Sequence, residues 1–402
     1  EVKLGGKESS RIIWRRSFYR KGVMHTLYTQ TDTLTSPSAF VKNYYDTFRP
    51  ADTLKAGDPF VSKWKLFYND FMSNDSVRHK RAVKGAGLVL PDSTDLEALK
   101  QVIRTLNWKE KDYLETKETL IMKLAYLTAP AASEQLKQVY QAAGDTVQLQ
   151  YIALESLLQQ GTPYAYGIFG KIMQTDPPVF DEEMSTGLPV SFEGSFLDQL
   201  SDSLSLTKKI LPQLLPLIDL DDYKSDIMSL LVTMVDSNLV AASDYNDYAD
   251  RFLLEARQEL KKQGVLERKK LIEKAEKLKK KKEGDDEDPD VSDDEGNDDL
   301  FLYARLLRPF VTVKPAVRTF YDQLLASGDK QLRYQVLKLM VKNRMSYPDS
   351  LLKQFIALDE YRYKVFTDLR EMNRLSLFPE KFMTPAAMSL SCLYDRSGYS
   401  EK

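Results

Sequence analysis

Histidine is the usual general base or metal ligand near neutral pH, and the chain holds two, His25 and His79. His25 stands in a β-branched and aromatic segment, and His79 in the basic run Arg78-His79-Lys80-Arg81. Neither has a second histidine, a cysteine pair or a patterned carboxylate beside it, so both are read as surface or scaffold residues. Lys84-Gly85-Ala86-Gly87 is glycine-rich but lacks the frame and the Lys-Ser/Thr ending of a phosphate loop. No G-x-S-x-G turn is present to expose a nucleophilic serine. Two carboxylates alone suffice for glycoside hydrolysis, yet no acidic pair stands out from the charged helix surfaces. In the acidic stretch Glu283 to Asp299, Gly284 and Gly296 do not fall where a calcium loop needs its glycine. The basic stretch Lys261 to Lys282 has no interleaved aromatics on which bases could stack, and its acidic neighbour can neutralise it in cis. It is read as part of a solvated loop, not as a nucleic-acid contact. No catalytic, metal-binding or cofactor-binding residue is assigned.

Composition sets the outer bounds. A chain of 402 residues is long enough for two or more cores, and 43% hydrophobic with 29% charged residues fits a globular protein. A net charge of −2 exerts no general pull toward nucleic acid or an anionic membrane. With Cys392 alone, neither an intrachain disulfide nor a cysteine-rich zinc site can form, and the lone thiol does not separate cytoplasm from periplasm. No apolar run approaches the ~18–20 residues that span a bilayer. The chain begins at Glu1, mid-pattern, and is read as a fragment.

The elements that would position any site follow from periodicity. Arg11 to Tyr19 and Val23 to Thr31 flank Lys21-Gly22, a hairpin signal, and the pair is expected to belong to a larger sheet. Thr35 to Ser38 supply a cap ahead of Phe40, Val41, Tyr44, Tyr45 and Phe48 at helical spacing. Phe60, Val61, Trp64, Phe67, Tyr68 and Phe71 follow in a second helix. Core packing against the sheet is the expected role of both aromatic faces, ahead of a ligand groove. From Pro91 the chain reads as successive helices, with capping boxes at Thr94/Glu97 and Asn107/Glu110. Val179 to Gly194 reads as a loop, and Pro212 and Pro216 should break or kink the helix they interrupt.

One grammar then occurs twice. Pro130 to Met173 runs helix, Gly144-Asp145, helix with Gln148-Leu149-Gln150-Tyr151 and Leu154, Pro163, helix. Pro315 to Phe355 runs helix, Gly328-Asp329, helix with Gln331-Leu332-Arg333-Tyr334 and Leu337, Pro348, helix. Units of roughly 45 residues are the size of helical solenoid repeats. Leu220-Asp221-Asp222-Tyr223 and Leu358-Asp359-Glu360-Tyr361 form a second echo, each followed by apolar residues at the same spacing. If the units are equivalent, Tyr151 and Tyr334 should be buried with Leu154 and Leu337. Gln150 and Arg333 should face outward, and Gly144 and Gly328 should both hold positive φ. Asp244 to Lys262 reads as a helix. Lys261 to Asp299 carries too little apolar surface to offset its ordering entropy and is expected to be a dispensable, mobile insertion.

Ser17 through Asp32, Gly144 through Tyr151 and Leu358 through Tyr363 together resemble the region that follows the amino-terminal domain in large bacterial TraB/GumN-family proteins. That family carries a metal-dependent hydrolase domain with paired G-x-x-H motifs and a nearby glutamate. Here Gly22-Val23-Met24-His25 alone has the G-x-x-H form, with no partner motif. The resemblance therefore implies that this chain lies downstream of the chemistry, with no catalytic residue to carry over, and it favours the cell envelope or periplasm while leaving the cytoplasm open.

The expected fold is mainly α: a HEAT-like helical-repeat solenoid preceded by a short α+β piece of a truncated N-terminal domain. The expected divisions are 1–75 for the hairpin and aromatic helices, 91–260 for helical repeats, 261–299 for the charged disordered insertion and 300–390 for the repeats continued. The expected function is a non-catalytic scaffold or interaction region of a larger TraB/GumN-like protein, binding a protein or peptide and using no cofactor. The alternative is an accessory or regulatory domain of a metal-dependent hydrolase whose active site lies upstream.

Overall fold

The computed structural model describes residues 2–6, 9–20, 22–32, 34, 37–50, 61–106, 109, 112–144, 146–179, 196–281 and 298–397. Among these the protein is mainly helical, with seventeen α-helices and a three-stranded antiparallel sheet at the N-terminus. The chain divides into two compact units, Glu1–Gln135 and Leu136–Lys402.

In the first unit, β1 (Val2–Gly5), β2 (Arg11–Arg20) and β3 (Val23–Asp32) pair in the order β1-β2-β3. The hairpin register places Arg20 opposite Val23, and Gly22 takes φ +83°, the left-handed conformation that a two-residue hairpin turn requires. Lys21, the other expected turn residue, lies outside the described residues. Strand alternation puts Ile12, Trp14, Phe18, His25 and Leu27 on one face. Against that face packs α1 (Ala39–Thr47), whose N-terminus Ser38 caps by accepting from the Val41 amide at 3.3 Å. Thr35, where the cap was expected to begin, lies outside the described residues.

Four further helices are α2 (Trp64–Phe71), α3 (Ser76–Gly85), α4 (Leu96–Thr105) and α5 (Tyr113–Leu124). Trp64, Phe67 and Phe71 are buried, so α2 spends its aromatic face on core packing. The capping box expected at Thr94/Glu97 forms instead between Asp92 and Asp95, around a 3-10 turn at Ser93–Asp95. Asp92 adopts an extended backbone, so its carboxylate reaches the Thr94 amide at 2.8 Å while Asp95 accepts from the Asp92 amide at 3.0 Å. The box expected at Asn107/Glu110 lies outside the described residues.

The remaining helices are α6 (Pro130–Ala142), α7 (Val147–Gln159), α8 (Pro163–Thr175), α9 (Leu204–Leu214), α10 (Asp221–Asp236), α11 (Asn246–Lys281), α12 (Asp298–Leu307), α13 (Pro315–Leu325), α14 (Lys330–Lys342), α15 (Asp349–Ala357), α16 (Asp359–Glu371) and α17 (Pro385–Ser397). Thr162 caps α8 ahead of Pro163, and Asp329 caps α14 through the Gln331 and Leu332 amides. Helix α9 runs through Pro212 and then tightens into a 3-10 turn at Leu215–Asp219, where Pro216 sits. Asp145, of the glycine-aspartate stop after α6, and residues 180–194 of the expected loop lie outside the described residues.

The two triplets α6-α7-α8 and α13-α14-α15 match closely in their middle helices. Leu149, Tyr151, Ala153, Leu154, Ser156, Leu157 and Leu158 are buried on α7. At a constant offset, Leu332, Tyr334, Val336, Leu337, Leu339, Met340 and Val341 are buried on α14. Gln150 and Arg333 are half-buried rather than fully outward. Gly144 has the expected positive φ of +54° after α6. Gly328 does not: its φ lies outside the left-handed region, and a Cβ there would come 2.9 Å from Glu267 Oε2. Glycine at 328 makes room for a carboxylate, not for a left-handed turn.

That carboxylate corrects a second expectation. The basic stretch from Lys261, expected to be mobile, continues α11 to Lys281. Lysine, glutamate, leucine and alanine are strong helix formers, which low apolar content conceals. Glu267 also ties this extension down, accepting from Ser327 Oγ and from the Gly328 amide at 3.0 Å. Replacing 264–299 by a linker, expected to be neutral, would remove that tie. The acidic residues 283–297 lie outside the described residues.

Helices α10, α14 and α16 end alike, with Asn238, Arg344 and Asn373 at φ near +55°. The following amides of Leu239, Met345 and Arg374 bond back to Met234, Met340 and Leu369, five residues earlier. These are Schellman closures, in which asparagine adopts the left-handed position readily and arginine only at a cost. Arg344→Gly should therefore raise the unfolding free energy by about 1 kcal/mol, read as a shift of the urea midpoint at unchanged slope. An unchanged or lower midpoint would show that the arginine side chain outweighs the backbone strain.

Candidate functional site

Among the described residues β3 is paired on one side only, with β2. An antiparallel ladder uses the N–H and C=O of alternate residues, so the remainder point away from the sheet along a ten-residue edge. Helix α1 lies alongside. Thr26, Leu27, Tyr28 and Thr29 of β3 and Phe40, Val41, Tyr44 and Tyr45 of α1 line a groove of about 320 Å³.

The seating of α1 explains why the groove stays open. Tyr45 is buried, its ring stacks on Trp14 at 5.1 Å, and its hydroxyl donates to the Trp14 carbonyl at 2.9 Å. Arg16 donates to the Tyr45 carbonyl at 2.8 Å and pairs with Asp46 at 3.2 Å. Phe48 meets Phe18 at 5.9 Å and His25 at 6.3 Å. These contacts consume one side of the helix. Phe40 and Tyr44 are left 78% and 46% exposed, stacked on each other at 6.5 Å, with Tyr28 of β3 77% exposed nearby. Phe40, Val41, Tyr44 and Tyr45 of α1, with Phe48 at its C-cap, span a wider arc than the sheet covers, and that width was the sequence signal for a groove.

The second unit holds partnered polar networks. Glu255 accepts from Tyr303 at 2.8 Å and from Lys224 and Arg251 at 3.1 Å. Burial pushes its carboxyl up, but these donors outweigh burial and hold it below the usual range. Asp368 accepts from Tyr334 and, at 2.7 Å, from Lys338. Tyr140 donates to the Asp176 carbonyl at 2.6 Å, Tyr223 to Pro178 and Tyr151 to Val179 at 2.9 Å. Glu155 on α7 differs, with burial alone raising its carboxyl to about 7.

The residues singled out by chemistry are not brought together as a reactive site. His25 stacks on Phe18 at 5.4 Å within the face that α1 covers. His79 on α3 sets Nδ1 2.6 Å from the Phe71 carbonyl, with its ring 4.8 Å from the Phe71 ring. Lys84 and Gly85 close α3, and the Gly87 carbonyl accepts from the buried Lys123 at 2.9 Å. Cys392 is half-buried on α17. Among the described residues no group of three or more His, Cys, Asp or Glu side chains could hold a metal ion, and no helix is long and apolar enough to cross a membrane.

No protein-family model and no curated protein matches the chain. Among solved structures, the crystal structure of an engineered protein is similar at 12% identity, covering 85% of this chain and 86% of that one, with a TM-score of 0.38. A likeness at that level supports no argument about function.

Two outcomes follow for the second unit. Glu155 binds its proton more tightly folded than unfolded, so its contribution to stability is complete below about pH 4.5 and is lost as pH rises through about 7. Glu155→Gln should leave the thermal midpoint nearly unchanged at pH 4.5 and raise it at pH 8; parallel curves across that range would contradict the shift. Tyr223→Phe should cost about 1–3 kcal/mol in urea unfolding, the penalty for the buried Pro178 carbonyl left without its donor, and Tyr151→Phe less, about 0.5–1.5 kcal/mol, because Val179 is exposed and water can replace the donor.

Proposed function

We propose that the chain is a non-catalytic helical-repeat scaffold, HEAT-like from about Pro91 onward, and the interaction region of a larger protein of the TraB/GumN kind. The observation that carries the repeat reading is the matched burial along α7 and α14, from Leu149/Leu332 through Tyr151/Tyr334 to Leu158/Val341. The starts of α10 and α16 support it. After Tyr223, Ile227 and Leu231 are buried, and after Tyr361, Val365 and Leu369 are buried at the same intervals. Stacked helical units present an extended surface suited to a protein or peptide. The family resemblance, with one G-x-x-H sequence running from the hairpin turn at Gly22 into a β-strand beneath α1, favours placing any hydrolytic centre elsewhere in a longer protein.

A repeat stack and a single undivided core respond differently to one cavity, because repeats couple chiefly to their neighbours. Leu337→Ala should cost about 2–5 kcal/mol. In native-state hydrogen exchange it should lower protection across α13 to α16 while leaving α6 to α8 protected. Loss of protection throughout the second unit would overturn the repeat reading. For the non-catalytic reading, residues 1–402 should turn over neither p-nitrophenyl acetate, p-nitrophenyl phosphate nor casein above buffer, with or without Mn²⁺ or Co²⁺. Metal-dependent turnover abolished by His25→Ala would overturn it and move the chemistry onto this chain.

A further inference from the structure

We infer that the β3 edge and α1 form a docking site for an extended acidic peptide, which adds to the sheet as a further strand. The inference concerns the first unit alone and stands apart from the helical-repeat reading.

The backbone comes first. From Val23 to Thr31 the edge strand carries no lysine, arginine or proline, the residues with which natural sheets commonly guard an open edge. Its outward N–H and C=O groups form a template about nine residues long. Strand addition supplies affinity through such main-chain bonds, and flanking pockets for alternate side chains supply selectivity.

The pocket on one side is already built. Every second side chain of an added strand would point into the groove walled by Phe40, Val41 and Tyr44, which suits leucine or valine. The other side chains would lie on the uncovered face of the sheet, beside Thr26 and Tyr28.

Charge selects the residues on that uncovered face. On that face strands β2 and β3 carry Arg11 and Arg15 against one acid, Asp32, while Arg16 and Arg20 lie on the face that α1 covers. Asp32 stands opposite Arg11 in the register, and Arg16 is paired with Asp46. Arg15 stands opposite Tyr28 on the uncovered face, donates to Ser17 Oγ at 3.2 Å and has no carboxylate partner among the described residues. An added strand would lie two strand spacings away, roughly 10 Å, which is about one Debye length at physiological salt. The fitting partner is therefore an extended segment with apolar residues at alternate positions and glutamate or aspartate between them.

The test uses residues 1–402 and a fluorescein-labelled nine-residue peptide alternating leucine or valine with glutamate, read by fluorescence anisotropy. The glutamate peptide should bind at least tenfold tighter than the same peptide with lysine in place of glutamate. N-methylating one alternate set of amides should weaken binding at least tenfold, while methylating the other set should not. Phe40→Ala and Tyr44→Ala, both at exposed positions, should each weaken binding at least fivefold with the thermal midpoint unchanged. Arg15→Gln should weaken it two- to fivefold and flatten its salt dependence. Equal binding of both N-methylated peptides would overturn strand addition, and equal or tighter binding of the lysine peptide would overturn the charge assignment. A homodimer in light scattering that Phe40→Ala dissociates would give the edge to a second copy and overturn the peptide proposal.

Discussion

Buried tyrosine hydroxyls bonded to main-chain carbonyls organise the second unit. Tyr140, Tyr151 and Tyr223, from three different helices, converge on the carbonyls of Asp176, Val179 and Pro178 and fix the chain where it leaves α8. Tyr245 and Tyr321 repeat the device farther on, donating to the carbonyls of Leu306 at 2.6 Å and Ala304 at 2.5 Å. A tyrosine supplies a large apolar body with one donor that cannot be left unsatisfied when buried. A carbonyl in the last turn of a helix or just beyond its end is an acceptor without an intrahelical partner. Joining the two fixes how one helix lies against the next connection, which apolar contact alone leaves free to slide.

Arginines perform the complementary task at helix C-termini, where carbonyls and the negative end of the helix dipole gather. Arg308 donates to the Val235 carbonyl at the end of α10 and to Asn343 beyond α14. Arg362 reaches the carbonyls of Ile356 at 3.0 Å and Ala357 at 2.8 Å, closing α15 from the helix that follows. Glu267 does the opposite at the start of α14, bringing a carboxylate to the turn that precedes a helix N-terminus. Arg308 and Glu267 join segments distant in sequence, whereas Arg362 closes a helix five and six residues upstream of itself. Glu255 and Asp368 read as structural groups because each accepts from several donors of the protein itself.

Local periodicity and capping carried most of the helix reading. Tyr151, Leu154, Tyr334 and Leu337 could be placed on buried faces because each answer depended on residues within one or two helical turns. Pro163 and Asp329 were legible as helix starts for the same reason. Gly328 was not, because its role is set by Glu267, sixty-one residues away in sequence. The extension of α11 was misread because apolar content is a measure of packing, while an exposed helix can persist on propensity and one distant tether. The tyrosine contacts were equally hidden: a Tyr at helical spacing predicts burial of the ring and says nothing of which carbonyl takes the proton.

The groove was half legible, and the missing half is instructive. The spacing of Phe40, Val41, Tyr44, Tyr45 and Phe48 predicts one aromatic helix face, and Tyr45 and Phe48 do pack on the sheet. The expectation assumed a sheet broad enough to take all five. Three strands present too narrow a surface, so Phe40 and Tyr44 overhang the edge of β3 in place of covering its face. The excess of aromatic surface over available sheet, together with an edge that carries no guarding lysine or proline, is one fact seen twice. Both belong to a sheet whose hydrogen bonding and whose apolar cover stop at the same strand. A single added strand would satisfy both at once, since it would take the outward main-chain groups of β3 while lying under Phe40 and Tyr44.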